Sequence, residues 1–141
     1  MKHIGIGAAA LSALLAAACG TDHVPAPTVA TAGVIRGTFT LEREGTTELV
    51  AGTSRVESGA QAATGEDGRG IVQLDSGAWI LLDRASRLTV ELAAVQLGAG
   101  RAWIDASNAD EITVRTAHGS VRAANATFAV ELGDGQARVY C

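Results

Sequence analysis

The feature that most constrains this chain is a short phrase that returns. Val72–Ile80 reads VQLDSGAWI, Val95–Ile104 reads VQLGAGRAWI, and Val130–Val139 reads VELGDGQARV. In each copy Val-x-Leu puts two apolar side chains on one face of a strand, because successive strand side chains point to opposite faces. A turn then follows: Asp75-Ser76-Gly77, Gly98-Ala99-Gly100 or Gly133-Asp134-Gly135. Glycine supplies the positive φ that such turns require. An alanine and a bulky residue then open the next strand. The three starts lie 23 and 35 residues apart, close to two and three steps of about twelve, the strand-plus-turn spacing of all-β folds. The phrase is a strand–turn–strand module used at least three times.

The rest of the chain from Val34 has the same character. Short apolar runs such as RGIVQL, RLTVEL, EITVRT and TFAVEL are broken by Gly, Asp, Asn and Ser, with no helical stripe. In Leu88–Gly100 the β-branched residues and flanking glycines favour two strands with a bend at Ala93-Ala94 over one short helix. Aromatic residues are 4% of the chain, so the core must be built from Val, Leu, Ile and Ala; 17 glycines against 2 prolines suit many tight turns. The expected fold is all-β: repetitive antiparallel strands forming a twisted two-layer sandwich or a β-solenoid-like stack, as one domain over 34–141.

The first twenty residues, MKHIGIGAAALSALLAAACG, have a basic Lys2, an apolar stretch and Ala16–Ala18 before Cys19. That pattern is a secretory signal peptide over 1–18, too short for a membrane span. A cysteine at the cleavage point fits a bacterial lipobox, with Cys19 as the lipidated residue, although Ala16 stands where Leu is preferred and Ala-x-Ala also fits ordinary cleavage. The expected location is the cell envelope, lipid-anchored at the outer membrane and facing the periplasm. Without the lipid, Cys19 and Cys141 could pair in that oxidising compartment. Residues 19–33, polar, small and holding both prolines, read as a flexible tether.

The net charge is −4, and the ten arginines are scattered among acids. This excludes a phosphate-backbone footprint, and nucleic acid is not an expected partner. Nor is there a catalytic constellation. His3 lies in the signal peptide and His23 in the tether, leaving His118 in a turn before Gly119. One usable His and few thiols cannot assemble a zinc site, and the acidic loops lack calcium-ligand spacing. No cofactor is expected, and the chain reads as a non-enzyme. The candidate binding residues are Trp79 and Trp103, either as stacking platforms for a glycan or as packing over the core. A second candidate is an edge strand at Ala137, Arg138, Val139 and Tyr140, open to pairing with a partner strand.

The order of phrases resembles the FecR-like domain of bacterial envelope proteins. Gly52, Gly59 and Thr64 in LVAGTSRVESGAQAAT match its opening; Ser86, Leu88 and Val90 close the next segment. Gly100-Arg101-Ala102 is kept, as are Val114, Thr116, Gly119, Val121, Phe128 and Val130. The likeness spans Gly33 to Tyr140. Asn125-Ala126-Thr127-Phe128 replaces the family's Gly-Thr-x-Phe, and Asn also tolerates the left-handed conformation. The family's final strand runs further than Cys141, which leaves an unfinished sheet edge or a piece of a longer protein as the two readings. The best-known relatives relay signals through a transmembrane helix placed before this domain, whereas here a signal peptide is expected. The resemblance therefore implies a protein–protein or surface-recognition module, with another envelope protein as the expected partner.

Overall fold

The computed structural model describes residues 26–141. The signal peptide, Cys19 and His23 lie outside the described residues. Fourteen strands make up the domain. In chain order they are β1 (Thr28–Arg36), β2 (Phe39–Arg43), β3 (Thr46–Leu49), β4 (Thr53–Glu57), β5 (Gln61–Thr64), β6 (Arg69–Leu74) and β7 (Trp79–Leu82). Then follow β8 (Arg87–Val90), β9 (Ala94–Ala99), β10 (Arg101–Asp105), β11 (Ile112–Thr116), β12 (Gly119–Ala123), β13 (Thr127–Gly133) and β14 (Gln136–Tyr140).

They form two stacked seven-stranded sheets. Sheet A runs β14-β13-β10-β7-β6-β1-β4 and sheet B runs β12-β11-β9-β8-β5-β2-β3. Every pairing is antiparallel except β9 with β11. From β5 and β6 onward both orders follow the sequence in the same direction, so the chain winds from one sheet to the other and back as it advances; at the other end β4 lies outside β1 and β3 outside β2. The two-layer, repetitive all-β expectation holds.

Alternation explains the layers. In β6, β7 and β10 every second residue is buried: Val72 and Leu74, Ile80 and Leu82, Ala102 and Ile104. These meet Phe39, Leu88, Val95, Leu97 and Val114 of sheet B in a single core. The layers touch closely. A Cβ on Gly70 of β6 would lie 2.6 Å from the Phe39 ring, so glycine there is what admits one of the two phenylalanines of the core.

The repeated phrase has two structural outcomes. The first copy is the β6–β7 hairpin and the third the β13–β14 hairpin, both within sheet A. The middle copy is not a hairpin. Strand β9 runs on through Gly98 and Ala99, and Gly100 alone turns the chain from sheet B into sheet A. Gly100 has φ 81°, and an added Cβ would sit 2.2 Å from the Ser86 hydroxyl and 2.7 Å from the Ala85 carbonyl. Only glycine fits that corner.

The expected tether is corrected at its C-terminal end. Residues 28–33 belong to β1, which lies between β4 and β6, with Val29, Ala30 and Ala32 buried. Their small side chains suggest a linker, but small residues also suit a strand paired on both sides. Gly33 leaves room for Ile71 and Thr53 on the neighbouring strands. Two other expectations hold: β8 and β9 are separate strands joined around Ala93, and Asn125 is left-handed at φ 52°.

Candidate functional site

The outer face of sheet A carries the candidate site. Ala78 and Ile80 point into the core, so Trp79 between them points out; Ala102 and Ile104 do the same for Trp103. Both indoles are 43% exposed. Trp103 faces Leu81 across β10 and β7, and Trp79 faces Asp105, so the two rings are diagonal neighbours, a spacing of roughly 7–8 Å. The structure thus brings together the two predicted tryptophans on one solvent-facing surface and does not use them as core packing.

Strand register extends this pair into rows. Ile71, Leu81, Trp103, Ala129 and Tyr140 follow one another across five strands. Ala129 is fully buried although it lies on the outer face, because larger neighbours flank it on both sides. The parallel row on one side is charged. Arg138 opposes Glu131, which opposes Arg101. Asp83 donates its N–H to the Arg101 carbonyl, and its carboxylate takes an ion pair from Arg69 at 3.2 Å. The Arg101 guanidinium lies 5.8 Å from the centre of the Tyr140 ring, a cation–π contact. On the other side the Asp105 carboxylate accepts from the Ser107 N–H at 3.0 Å and its hydroxyl at 2.6 Å.

Two shallow hollows flank the Trp103 ring. One, of about 150 Å³, is lined by Arg69, Leu81, Asp83, Arg101 and Trp103. The other, of about 350 Å³, is lined by Ile71, Trp79, Leu81, Trp103 and Asp105. The Arg84 backbone N–H, helped by Arg69 and Arg101, holds the Asp83 carboxyl below its ordinary pKa. The hydroxyl and N–H of Ser107 do the same for Asp105. Both flanks therefore present ionised acceptors at neutral pH.

Ala137, Arg138, Val139 and Tyr140 lie in β14. β14 pairs with β13 on one side and with no described strand on the other. Val139 and Tyr140 are 46% and 42% exposed. Register places Val139 on the inner side, opposite Val130, and Tyr140 on the outer side. The opposite end of the sandwich is guarded by charge: Arg43 of β2 pairs with Glu57 of β4, and Glu48 lies on the edge strand β3.

His118 occupies the β11–β12 turn, its N–H donated to the Thr116 hydroxyl at 3.0 Å. Cys141 is exposed, following β14. Among the described residues no group of three His, Cys, Asp or Glu side chains gathers where a metal could sit, and no helix is long and apolar enough to cross a membrane. Sequence reasoning missed Ile71, Leu81 and the Arg69–Asp83–Arg101 cluster, and it named Tyr140 for the edge strand without placing it in the row of the tryptophans. The signal was present within each strand, since Leu81 and Ile71 alternate with core residues, but their adjacency depends on register.

No curated protein and no solved structure matches the chain. A family model described as FecR protein matches residues 60–141. That span runs from the end of the β4–β5 turn through β14 and takes in most of sheet A, with both tryptophans, the charged row and the open edge. The match covers more than half of the sequence, and the chain belongs to the FecR family.

Proposed function

We propose that this domain is a non-enzymatic, signalling-related recognition module of the cell envelope that takes hold of another envelope protein through the β14 edge. The observation that carries this reading is the contrast between the two ends of the sandwich. At one end the edge strands β3 and β4 bear Glu48 and Glu57, the latter paired with Arg43 of β2; at the other, β14 offers an unpaired backbone rim in which Arg138 is flanked by Val139 and Tyr140. A strand added there would gain main-chain hydrogen bonds along β14 and apolar contacts from alternate side chains. In this reading the domain is held at the outer membrane by lipid on Cys19, facing the periplasm.

Two experiments test it. In the first, the full chain is made in cells with a photoreactive amino acid in place of Val139 or, separately, of Glu48. Irradiation is expected to give a discrete protein adduct from position 139 and none from position 48. Equal adducts, or none from position 139, would reject edge pairing. In the second, Cys19→Ala is expected to abolish labelling by a palmitate analogue, and persistent labelling would remove the anchor from the proposal.

A further inference from the structure

The chain has five aromatic residues, two Phe, two Trp and one Tyr. Phe39 and Phe128 are buried in the core, while Trp79, Trp103 and Tyr140 all lie on the outer face of sheet A. A fold so short of large side chains has placed three of its five where they do little for the core. Burying them would stabilise it, so their position on one face points to a ligand.

The surface limits what that ligand can be. It is flat and open, with a hollow on either side of Trp103, which suits a chain of rings lying across it better than an enclosed small molecule. Beside the rings runs the row Arg138, Glu131, Arg101, Asp83, Arg69, with Arg36 opposite Arg69 at its far end. Four arginines against two acids make this row locally cationic in a chain of net charge −4. Arginine meets a carboxylate bidentately. The interleaved acids would repel a polyanion charged at every unit, such as a nucleic acid, but leave gaps for carboxylates spaced by whole sugar rings. Asp105, on the other flank, supplies an acceptor for hydroxyl groups.

We infer that the outer face of sheet A binds a carboxylate-bearing polysaccharide, its sugar rings stacked on Trp79 and Trp103 and its carboxylates met by Arg101 and Arg69. The groups that would hold it, Trp79, Trp103, Arg101 and Arg69, lie on β6, β7 and β10 rather than on the β14 rim, so either proposal can fail alone. The test titrates the full chain with oligogalacturonate and with a neutral glucan oligosaccharide of equal length, followed by indole fluorescence and calorimetry. Saturable binding of the acidic oligomer is expected, weakened by salt, with the neutral one about tenfold weaker or more. Trp103→Ala is expected to cost about tenfold or more in affinity. Trp103→Leu, which keeps Ala129 covered but removes the flat ring, should do the same if the alanine variant does not fold. Arg101→Gln and Arg69→Gln should each weaken the acidic oligomer and leave the neutral one unchanged. The inference is overturned by undiminished binding to Trp103→Leu, by equal affinity for both oligomers, or by no saturable binding of either. Concentration-dependent self-association that Trp103→Leu abolishes would also overturn it, by assigning the face to a second copy of the chain.

Discussion

The Ser86 hydroxyl accepts the Arg101 N–H at 3.0 Å and lies 3.1 Å from the Arg101 carbonyl, while the Ser86 N–H is donated to the Thr64 hydroxyl at 2.9 Å. Thr64 in turn donates to the Asp83 carbonyl at 2.6 Å. Ser86 is fully buried and Thr64 nearly so. Together they tie β5 of sheet B to the start of β10 in sheet A, at the corner turned by Gly100. Ser86→Ala removes the buried hydroxyl that accepts the part-buried Arg101 N–H, and we expect it to cost about 1–3 kcal/mol in urea denaturation. Gly100→Ala should be worse, since it meets both the left-handed φ and the Ser86 hydroxyl. Asp83 adds a pH dependence. Its carboxyl is held below the ordinary value first by the Arg84 N–H and then by Arg69 and Arg101. A depressed folded pKa contributes stability that is present above the unfolded value of about 3.9 and lost as pH falls through the folded one. The urea midpoint should therefore fall from pH 5 towards pH 3, and fall less steeply in Asp83→Asn.

Strand β1 shows how an element can be misread from composition. Thr28–Gly33 is small and polar enough for a linker, yet it lies between β4 and β6 with both of its edges bonded. A chain beginning at Val34 would expose both neighbours and remove Val29, Ala30 and Ala32 from the core. It is expected to lose cooperative unfolding, as followed by circular dichroism on heating. Close approach of the layers gives a second prediction. Gly70→Ala would push a methyl group into the Phe39 ring, and overpacking of this kind costs about 1–3 kcal/mol. A thermal midpoint equal to the wild type would contradict the observed layer spacing. The three copies of the repeated phrase were each legible as strand–turn–strand, because alternation and turn glycines are local. Whether the turn folds back or crosses between sheets was not. Gly77 faces the Asn108 carbonyl, Gly135 open space and Gly100 the Ala85–Ser86 segment, and what lies opposite each turn depends on segments distant in sequence.

For the molecule as a whole, the placement of the tryptophans is the most direct check. Both indoles face solvent, so acrylamide should quench the folded protein well above the rate for a buried indole; slow quenching would mean that the outer face of sheet A is covered in solution. Period-two alternation, β-branched runs and turn glycines were sufficient to establish an all-β, repetitive domain, because each acts within a few residues; they left a two-layer sandwich and a solenoid-like stack both open. The same alternation puts Trp79 and Trp103 opposite the core-facing Ala and Ile of their own strands. The order of phrases carried the FecR likeness for the same reason: it is a pattern of core positions and turns. The tertiary structure alone decided that the two indoles are diagonal neighbours and that Arg69, Asp83 and Arg101 gather beside them. Those facts depend on strand register and on which sheet each strand joins. Both are set by long-range packing and hydrogen bonding between segments far apart in the chain, to which no local pattern is sensitive.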